Sequence, residues 1–331
     1  MNDLTHDNSH YHVQRACRQS FVAPDLQLTA QVSKMLPNGV REFLAESISD
    51  NSRRAYSSDL AKFLKWGGRL PSDPIVIASY LADHGKTHAV STLRRWVASL
   101  SKAHSSAGHP DPTRLEPARS TLRGICRSRK ERTSCAMPLL KDDLFAVLGA
   151  IGNTVRDRRD RSLLLVGFAA GFRRSELTGL DVEDVNFVRR GMIITLRRSK
   201  TDQTNLGRDI AIPFGKSQYC PVRELEEWLA TAEISSGPLY RSVRRNGSIS
   251  EKRLSAEAVS GIIKQRVAAC GYDPKKFSGH SLRSGFATSA AQAGVSSWKI
   301  REQTGHRSDA MLARYIRSVE LFVGNASGAI L

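Results

Sequence analysis

Four short segments in the second half of the chain collect side chains suited to phosphate chemistry. In Gly171-Phe172-Arg173-Arg174-Ser175-Glu176-Leu177, Arg173 and Glu176 stand three residues apart, close enough on a helix for the carboxylate to orient the guanidinium. Lys200 lies in a polar, basic stretch, residues 197–207. Gly279-His280-Ser281-Leu282-Arg283 places a second arginine three residues after a histidine, and Gly305-His306 is followed nine residues later by Tyr315. Guanidinium groups hold phosphate oxygens bidentately. Imidazoles and an ammonium move protons, and a phenol can attack phosphorus as a nucleophile. Each piece alone has a plain structural reading: a surface ion pair, a loop lysine, a helix-end or buried imidazole, a core tyrosine beside Met311, Leu312 and Ile316. The ordered set Arg…Lys…His-x-x-Arg…His…Tyr in one basic domain carries the argument. Arg174 competes with Arg173 for the first position, and the Gly-x-Arg-x-x-Glu spacing decides for Arg173.

The charge balance points the same way. The 331 residues hold 50 Lys and Arg against 32 Asp and Glu, a net charge of +18. Residues 1–138 carry +8 of it and residues 139–331 carry +10, so the excess is spread over folded surface and not confined to a tail. That suits a long polyanion held by two domains, most plainly double-stranded DNA. With 40% hydrophobic and 25% charged residues, a packed core is feasible and global disorder is excluded. The central uncharged run, residues 162–172, is too short for a bilayer, which needs about 20 helical residues. No basic segment followed by an apolar stretch opens the chain, so no signal peptide is visible. The five cysteines are scattered without CxxC spacing, which fits reduced thiols in a cytoplasm. No carboxylate cluster or Cys/His set offers a metal site. The expectation is a soluble cytoplasmic protein, nucleoid-associated, with no membrane, metal or cofactor.

The elements that must position these residues read as follows. Residues 1–28 form a polar arm with Pro24. From about residue 30 the pattern is helical: Tyr56, Leu60, Phe63 and Leu64 share one stripe that stops at Gly67-Gly68, and Pro74 opens a second helix. Thr87 can cap a third, whose face is Val90, Leu93, Val97 and Leu100, with Arg94 and Arg95 turned away from it. Residues 108–112 are a loop. From Glu116 to Arg132 a helix repeats Arg119, Arg123 and Arg127 every four residues, a row suited to tracking phosphates. Residues 131–138 read as the linker. Beyond it the texture is mixed: helices over 140–151 and 158–170, then two short strands over 192–196 and 209–213 forming a hairpin with a long loop. Further helices follow at about 222–234, 254–269, 281–293, 297–303 and 308–317.

These motifs together resemble the tyrosine recombinases, the phage integrase family. The matching residues are Gly171, Arg173, Glu176 and Leu177, the hairpin Lys200, His280, Leu282 and Arg283, Gly305 and His306, and Tyr315. The resemblance extends upstream through residues 52–66, 87–104 and 119–132 and covers roughly residues 30–318. Size, short arm and the Tyr315-Ile316-Arg317 ending are closest to the Cre-type simple recombinases. Two positions depart from the pattern. Ser284 stands where the family commonly has His, and His306 stands where Cre has Trp. Neither touches the nucleophile or the two arginines.

The resemblance implies a two-domain fold, with an all-α core DNA-binding domain over 29–130 and a mixed α+β catalytic domain of the DNA breaking-rejoining type over 139–318, closing round the duplex as a clamp. It implies cleavage by Tyr315 through a 3′-phosphotyrosyl intermediate. Arg173 and Arg283 clamp the phosphate, Glu176 orients Arg173, and Lys200 protonates the leaving 5′ oxygen. His280 and His306 either donate to the phosphate or manage the phenol proton. The implied partners are inverted-repeat sites and a homotetramer on two duplexes, reached through monomer or dimer intermediates. Arg53, Arg54, Arg94 and Arg95 are candidate DNA contacts beside Arg119, Arg123 and Arg127. Residues 319–331, with Leu321, Phe322, Val323, Ile330 and Leu331, form an apolar tail that either docks on a neighbouring protomer or folds back on its own domain. The rivals are a type IB topoisomerase or telomere resolvase with the same chemistry, and a non-catalytic DNA-binding regulator using the helix-turn-helix-like segment 293–300.

Overall fold

The computed structural model describes residues 37–129, 136–197 and 207–316, and the chain divides into two compact units, Met1–Thr133 and Ser134–Leu331. The first is helical: α1 (Asn38–Glu46), α2 (Asp50–Trp66), α3 (Pro74–His84), α4 (Val90–Ser106) and α5 (Ala118–Ser128). Local chemistry sets its boundaries. Ser49 accepts from the Ser52 amide at the start of α2, and Gly67 ends it with φ of 117°, a left-handed conformation that glycine adopts without steric cost. Asp73 caps α3 ahead of Pro74 at its first turn. Thr87 does not cap α4. The helix starts at Val90 without a side-chain cap, and the Thr87 hydroxyl donates back to the His84 carbonyl at 3.3 Å. The buried stripe of α4 is Leu93, Trp96 and Leu100, and Val97 packs at its margin. Helix α5 is shorter than the expected Glu116–Arg132 segment among the described residues. Leu60, Phe63, Ile77, Tyr80 and Leu81 complete this core.

The Asp59 carboxylate is buried there. Arg95 donates to it from Nε and Nη2, both at 2.9 Å, and Ser99 adds a third bond at 2.8 Å. These bonds offset the cost of burying a charge and tie α2 to α4.

The second unit contains α6 (Lys141–Gly149), α7 (Val155–Ala169), α8 (Arg174–Gly179), α9 (Pro221–Ala232), α10 (Ala256–Ala269), α11 (Ser281–Gln292), α12 (Ser297–Thr304) and α13 (Asp309–Ile316). Its antiparallel sheet has the order β1 (Val185–Val188), β2 (Gly191–Leu196), β3 (Arg208–Pro213), and a separate hairpin joins β4 (Arg241–Val243) to β5 (Ile249–Arg253). The sequence pattern marks β2 and β3 but neither β1 nor the second hairpin. Helix α7 is the spine: Leu163, Leu164, Leu165 and Val166 are all buried, as a helix covered on every side requires. It starts on a capping box in which Thr154 and Asp157 bond each other's backbone amides. Met192 and Ile194 of β2 face Ile212 and Ile210 of β3 across the register, and all four lie in the core. Among the described residues no helix is long and apolar enough to cross a membrane.

Candidate active site

The turn after α7 opens the site. Gly171 has φ of 60°, and a side chain there would approach Thr304 Cγ2 at 2.8 Å, so the turn and the end of α12 are in close contact. Phe172 points into the core, which leaves Arg173 as the residue ahead of α8. The Glu176 carboxylate takes the Arg173 amide at 2.9 Å and its Nη1 at 2.5 Å. Glu176 is buried and the Arg173 side chain is only 18% exposed. The neighbouring Arg174 faces elsewhere, its Nη1 reaching Ser260 Oγ on α10 at 3.5 Å.

Arg283, in the first turn of α11, is buried. Its Nη1 donates to the carbonyls of Gly171 at 2.7 Å and Thr304 at 2.5 Å. One guanidinium thus joins the turn after α7 to the end of α12. Arg208, the first residue of β3, does the rest at that helix end. Its Nη1 donates to the carbonyls of Glu302 at 2.9 Å and Gln303 at 2.8 Å, and its Nη2 reaches that of Thr304 at 3.3 Å. The Gly305 amide donates to the Arg301 carbonyl at 2.7 Å. The last four carbonyls of α12, which have no partner within a helix, are all satisfied, two arginines supplying charge that the helix C-terminus favours. Nothing in the local sequence marks Arg208: its acceptors are main-chain atoms almost a hundred residues away.

The two histidines lie in this same cationic neighbourhood. His280 immediately precedes α11. Burial among protein atoms, then Arg283 and Arg173, hold its imidazole below the usual range, although the side chain keeps a face open to solvent. His306 is buried. Burial, then Arg283, Arg173, His280 and Arg208, push its imidazole down to about 3. Its Nδ1 lies 2.7 Å from Thr304 Oγ1. Arg173 and Arg208 also share Glu176 as a charged neighbour. The cluster is therefore three guanidiniums and two imidazoles around one buried carboxylate, an arrangement that attracts an anion and stabilises charge developing on it.

Tyr315 falls in the last turn of α13, a helix anchored through Leu312 against Ile300 and Ala287. Its side chain lies outside the described residues, as do Lys200 and residues 319–331. The candidate DNA contacts all belong to the helical unit. Arg119, Arg123 and Arg127 line the exposed side of α5, Arg123 pairing with Glu116 at 2.9 Å. Arg53 pairs with Asp50 at 3.2 Å, Arg54 bonds Asn51 at 3.2 Å, and the exposed Arg94 reaches Cys126 Sγ at 3.6 Å. Arg95 holds Asp59.

A sequence model of the phage integrase family matches residues 139–320. The chain is similar to an integrase/recombinase XerD homolog of Selenomonas ruminantium, 36% identical over 293 residues that cover 86% of each protein. It is also similar to the recombinase Cre of Escherichia phage P1, 26% identical over 279 residues, 78% of this chain and 79% of that one. Among solved structures, the XerH site-specific recombinase bound to a palindromic difH substrate has a TM-score of 0.60 at 15% identity, covering 89% of this chain and 87% of that one. The Tn1549 transposon integrase in complex with transposon right end DNA has a TM-score of 0.59 at 18% identity, covering 81% and 90%. These structures share the fold.

Proposed function

The chain belongs to the phage integrase family and is a tyrosine-type site-specific DNA recombinase; from that premise we propose how its residues divide the reaction. Tyr315 attacks the scissile phosphorus and becomes a 3′-phosphotyrosine while the 5′ oxygen leaves. Arg173 and Arg283 hold the non-bridging oxygens, where negative charge accumulates, and Glu176 fixes Arg173. Lys200 protonates the departing 5′ oxygen, and His280 and His306 serve the phosphate and the phenol proton. The phosphotyrosyl linkage keeps the energy of the broken bond, so a 5′-hydroxyl from a second duplex reverses the step on a new strand. No metal, cofactor or nucleotide enters this path. The observation that supports it best is the convergence of Arg173, Arg283, His280 and His306 on one cluster, from segments more than a hundred residues apart in sequence.

In the same reading, residues 29–130 hold the core DNA site, 131–138 link the domains, and 139–318 carry catalysis. Residues 1–28 are an arm and 319–331 a contact between protomers. Arg53, Arg54, Arg94, Arg119, Arg123 and Arg127 supply phosphate contacts, and Arg95 acts chiefly through Asp59. The partner is double-stranded DNA with inverted-repeat sites, bound by a homotetramer that brings two sites together in the cytoplasm.

Tyr315→Phe tests the path. The variant keeps the ring and loses the attacking oxygen, so it binds its site and forms no covalent complex on a denaturing gel. Covalent attachment by the Phe variant would place the nucleophile elsewhere. Sequencing the DNA recovered covalently from the wild-type protein identifies the target, with two inverted repeats around a short spacer as the expected result.

A further inference from the structure

His84 and His88 stand four residues apart at the end of α3, outside the reaction path above. The His88 amide donates to the His84 carbonyl at 3.1 Å, the pattern of an α-helical turn. The chain therefore makes one further turn beyond the helix, and the two side chains are neighbours on one face. Their ring centroids are 5.3 Å apart, and both residues are half-buried. Trp96 of α4 backs both rings, its centroid 5.3 Å from that of His84 and 4.7 Å from that of His88. Tyr80 lies 4.7 Å from His84 on the same helix. Packing thus fixes both imidazoles in place.

At each ring the proton is committed to the protein. His84 Nδ1 lies 2.9 Å from the Tyr80 carbonyl oxygen, which only accepts, so Nδ1 is the donor. The Thr87 hydroxyl gives its one hydrogen to the His84 carbonyl at 3.3 Å, and its oxygen lies 2.9 Å from His88 Nδ1. That nitrogen is then a donor as well. A neutral imidazole protonated on Nδ1 keeps its lone pair on Nε2. With Nδ1–H turned to a protein oxygen and Nε2 left as a base, both rings have the arrangement of metal-bound histidines.

We propose that His84 and His88 bind one zinc ion through their Nε2 atoms. The spacing fits. An ion about 2.1 Å from each Nε2 would stand roughly 3.2 Å from each centroid, and 5.3 Å between centroids then closes an angle of about 110° at the ion, the tetrahedral value. Imidazole suits zinc, whereas magnesium and calcium seek oxygen. His84 is the last residue of α3, and a helix C-terminus favours a cation. Among the described residues no group of three or more His, Cys, Asp or Glu is placed to hold a metal, so water completes the coordination, as it does not in a closed four-ligand site. The ion joins the end of α3 to the turn before α4. Arg129, beyond α5, already holds that turn through the carbonyls of Gly85 and His88. Its charge works against a second cation, which makes the ion a readily exchanged one.

Nitrogen-15 NMR on histidine-labelled full-length protein without DNA, titrated with zinc chloride at neutral pH, tests the site. The signals are assigned by their loss in His84→Gln and His88→Gln. Both Nε2 signals should move together, at one zinc concentration, while both Nδ1 atoms stay protonated. In His88→Gln the His84 signal should no longer move over that range, and the converse holds for His84→Gln, because one imidazole alone does not chelate. Following these two rings individually separates the result from any zinc taken by His6, His10 and His12, which every variant shares. Thermal unfolding gives a second reading. Zinc should raise the midpoint of the wild type more than that of His88→Gln, since the chelate exists only in the folded chain. Zinc that moves neither ring, or moves one whether or not the other is present, would overturn the proposal, and so would an equal rise in midpoint for both proteins.

Discussion

Arg173 and Arg174 are adjacent in sequence but lie in different neighbourhoods, and kinetics should separate them. Arg173 is fixed by a buried carboxylate beside both histidines, whereas Arg174 reaches out to Ser260 on α10. Arg173→Ala should lower single-turnover cleavage of a nicked site by ~10²–10³, the usual cost of losing one donor to a developing oxyanion. Arg174→Ala should stay within a few-fold, and equal losses would reverse the assignment. His306 makes a second prediction, on stability. Its folded-state value of about 3 lies below the ordinary 6.5, so between those limits the unfolded chain binds a proton that the folded chain does not. Stability therefore falls as the pH drops from about 6.5 towards 3, and His280 pulls in the same direction. Urea midpoints at pH 7 and pH 5 should differ less in His306→Gln than in the wild type, and an unchanged difference would refute the depressed imidazole.

At the scale of elements, two arginines bear weight that no motif announces. Arg208 holds three carbonyls at the end of α12. Lysine cannot span them with the same planar fork, so Arg208→Lys should cut cleavage at least tenfold while the protein still unfolds cooperatively. Wild-type cleavage by that variant would show that the helix end needs no such brace. Arg95→Ala strips the buried Asp59 of two of its three bonds. Because the Arg95 side chain is 47% exposed, the expected cost is about 1–3 kcal/mol, less than the ~3–5 of a fully buried pair, read as a lower denaturation midpoint of the helical unit. These roles also show how far the sequence was legible. Strands β2 and β3 could be read because Met192, Ile194, Ile210 and Ile212 alternate with outward residues. Strand β1 could not, since its last three residues are exposed and only pairing with β2 makes it a strand. The start of α4 was misplaced at Thr87 because a good capping residue closed the preceding turn instead. Arg173, Glu176, His280, Arg283 and His306, which the structure brings into one cluster, could be singled out because they sit in short motifs with fixed spacing. Arg208 could not be, because its main-chain acceptors at the end of α12 leave no trace in residue type.

For the whole molecule, the +18 charge predicts DNA binding that weakens steeply with salt. The exposed row on α5 gives this a local test. Replacing Arg119, Arg123 and Arg127 by Gln should flatten the plot of log affinity against log salt by roughly 0.9 for each phosphate no longer neutralised. Arg123 should count least, since Glu116 already holds it. Binding titrations between about 50 and 200 mM salt, a range that resolves such slopes, are the measurement. An unchanged slope would remove the row from the interface, whereas covalent capture at saturating protein should persist, because the row takes no part in the chemistry.

The bonds of Arg283 to the carbonyls of Gly171 and Thr304 have a consequence for how this protein tolerates genetic drift. Main-chain oxygens are common to all amino acids, so no substitution deletes them. The placement of Arg283 is therefore insulated from point changes that would strip a side-chain partner, and it is lost only when the backbone itself moves. Sensitivity is shifted to the few places where backbone packs closely. Gly171 is one, against Thr304, and Gly285 is another, where any side chain would overlap the Leu139 carbonyl. A saturation library scored for recombination should find those two glycines intolerant even of alanine, although neither bears a reactive group.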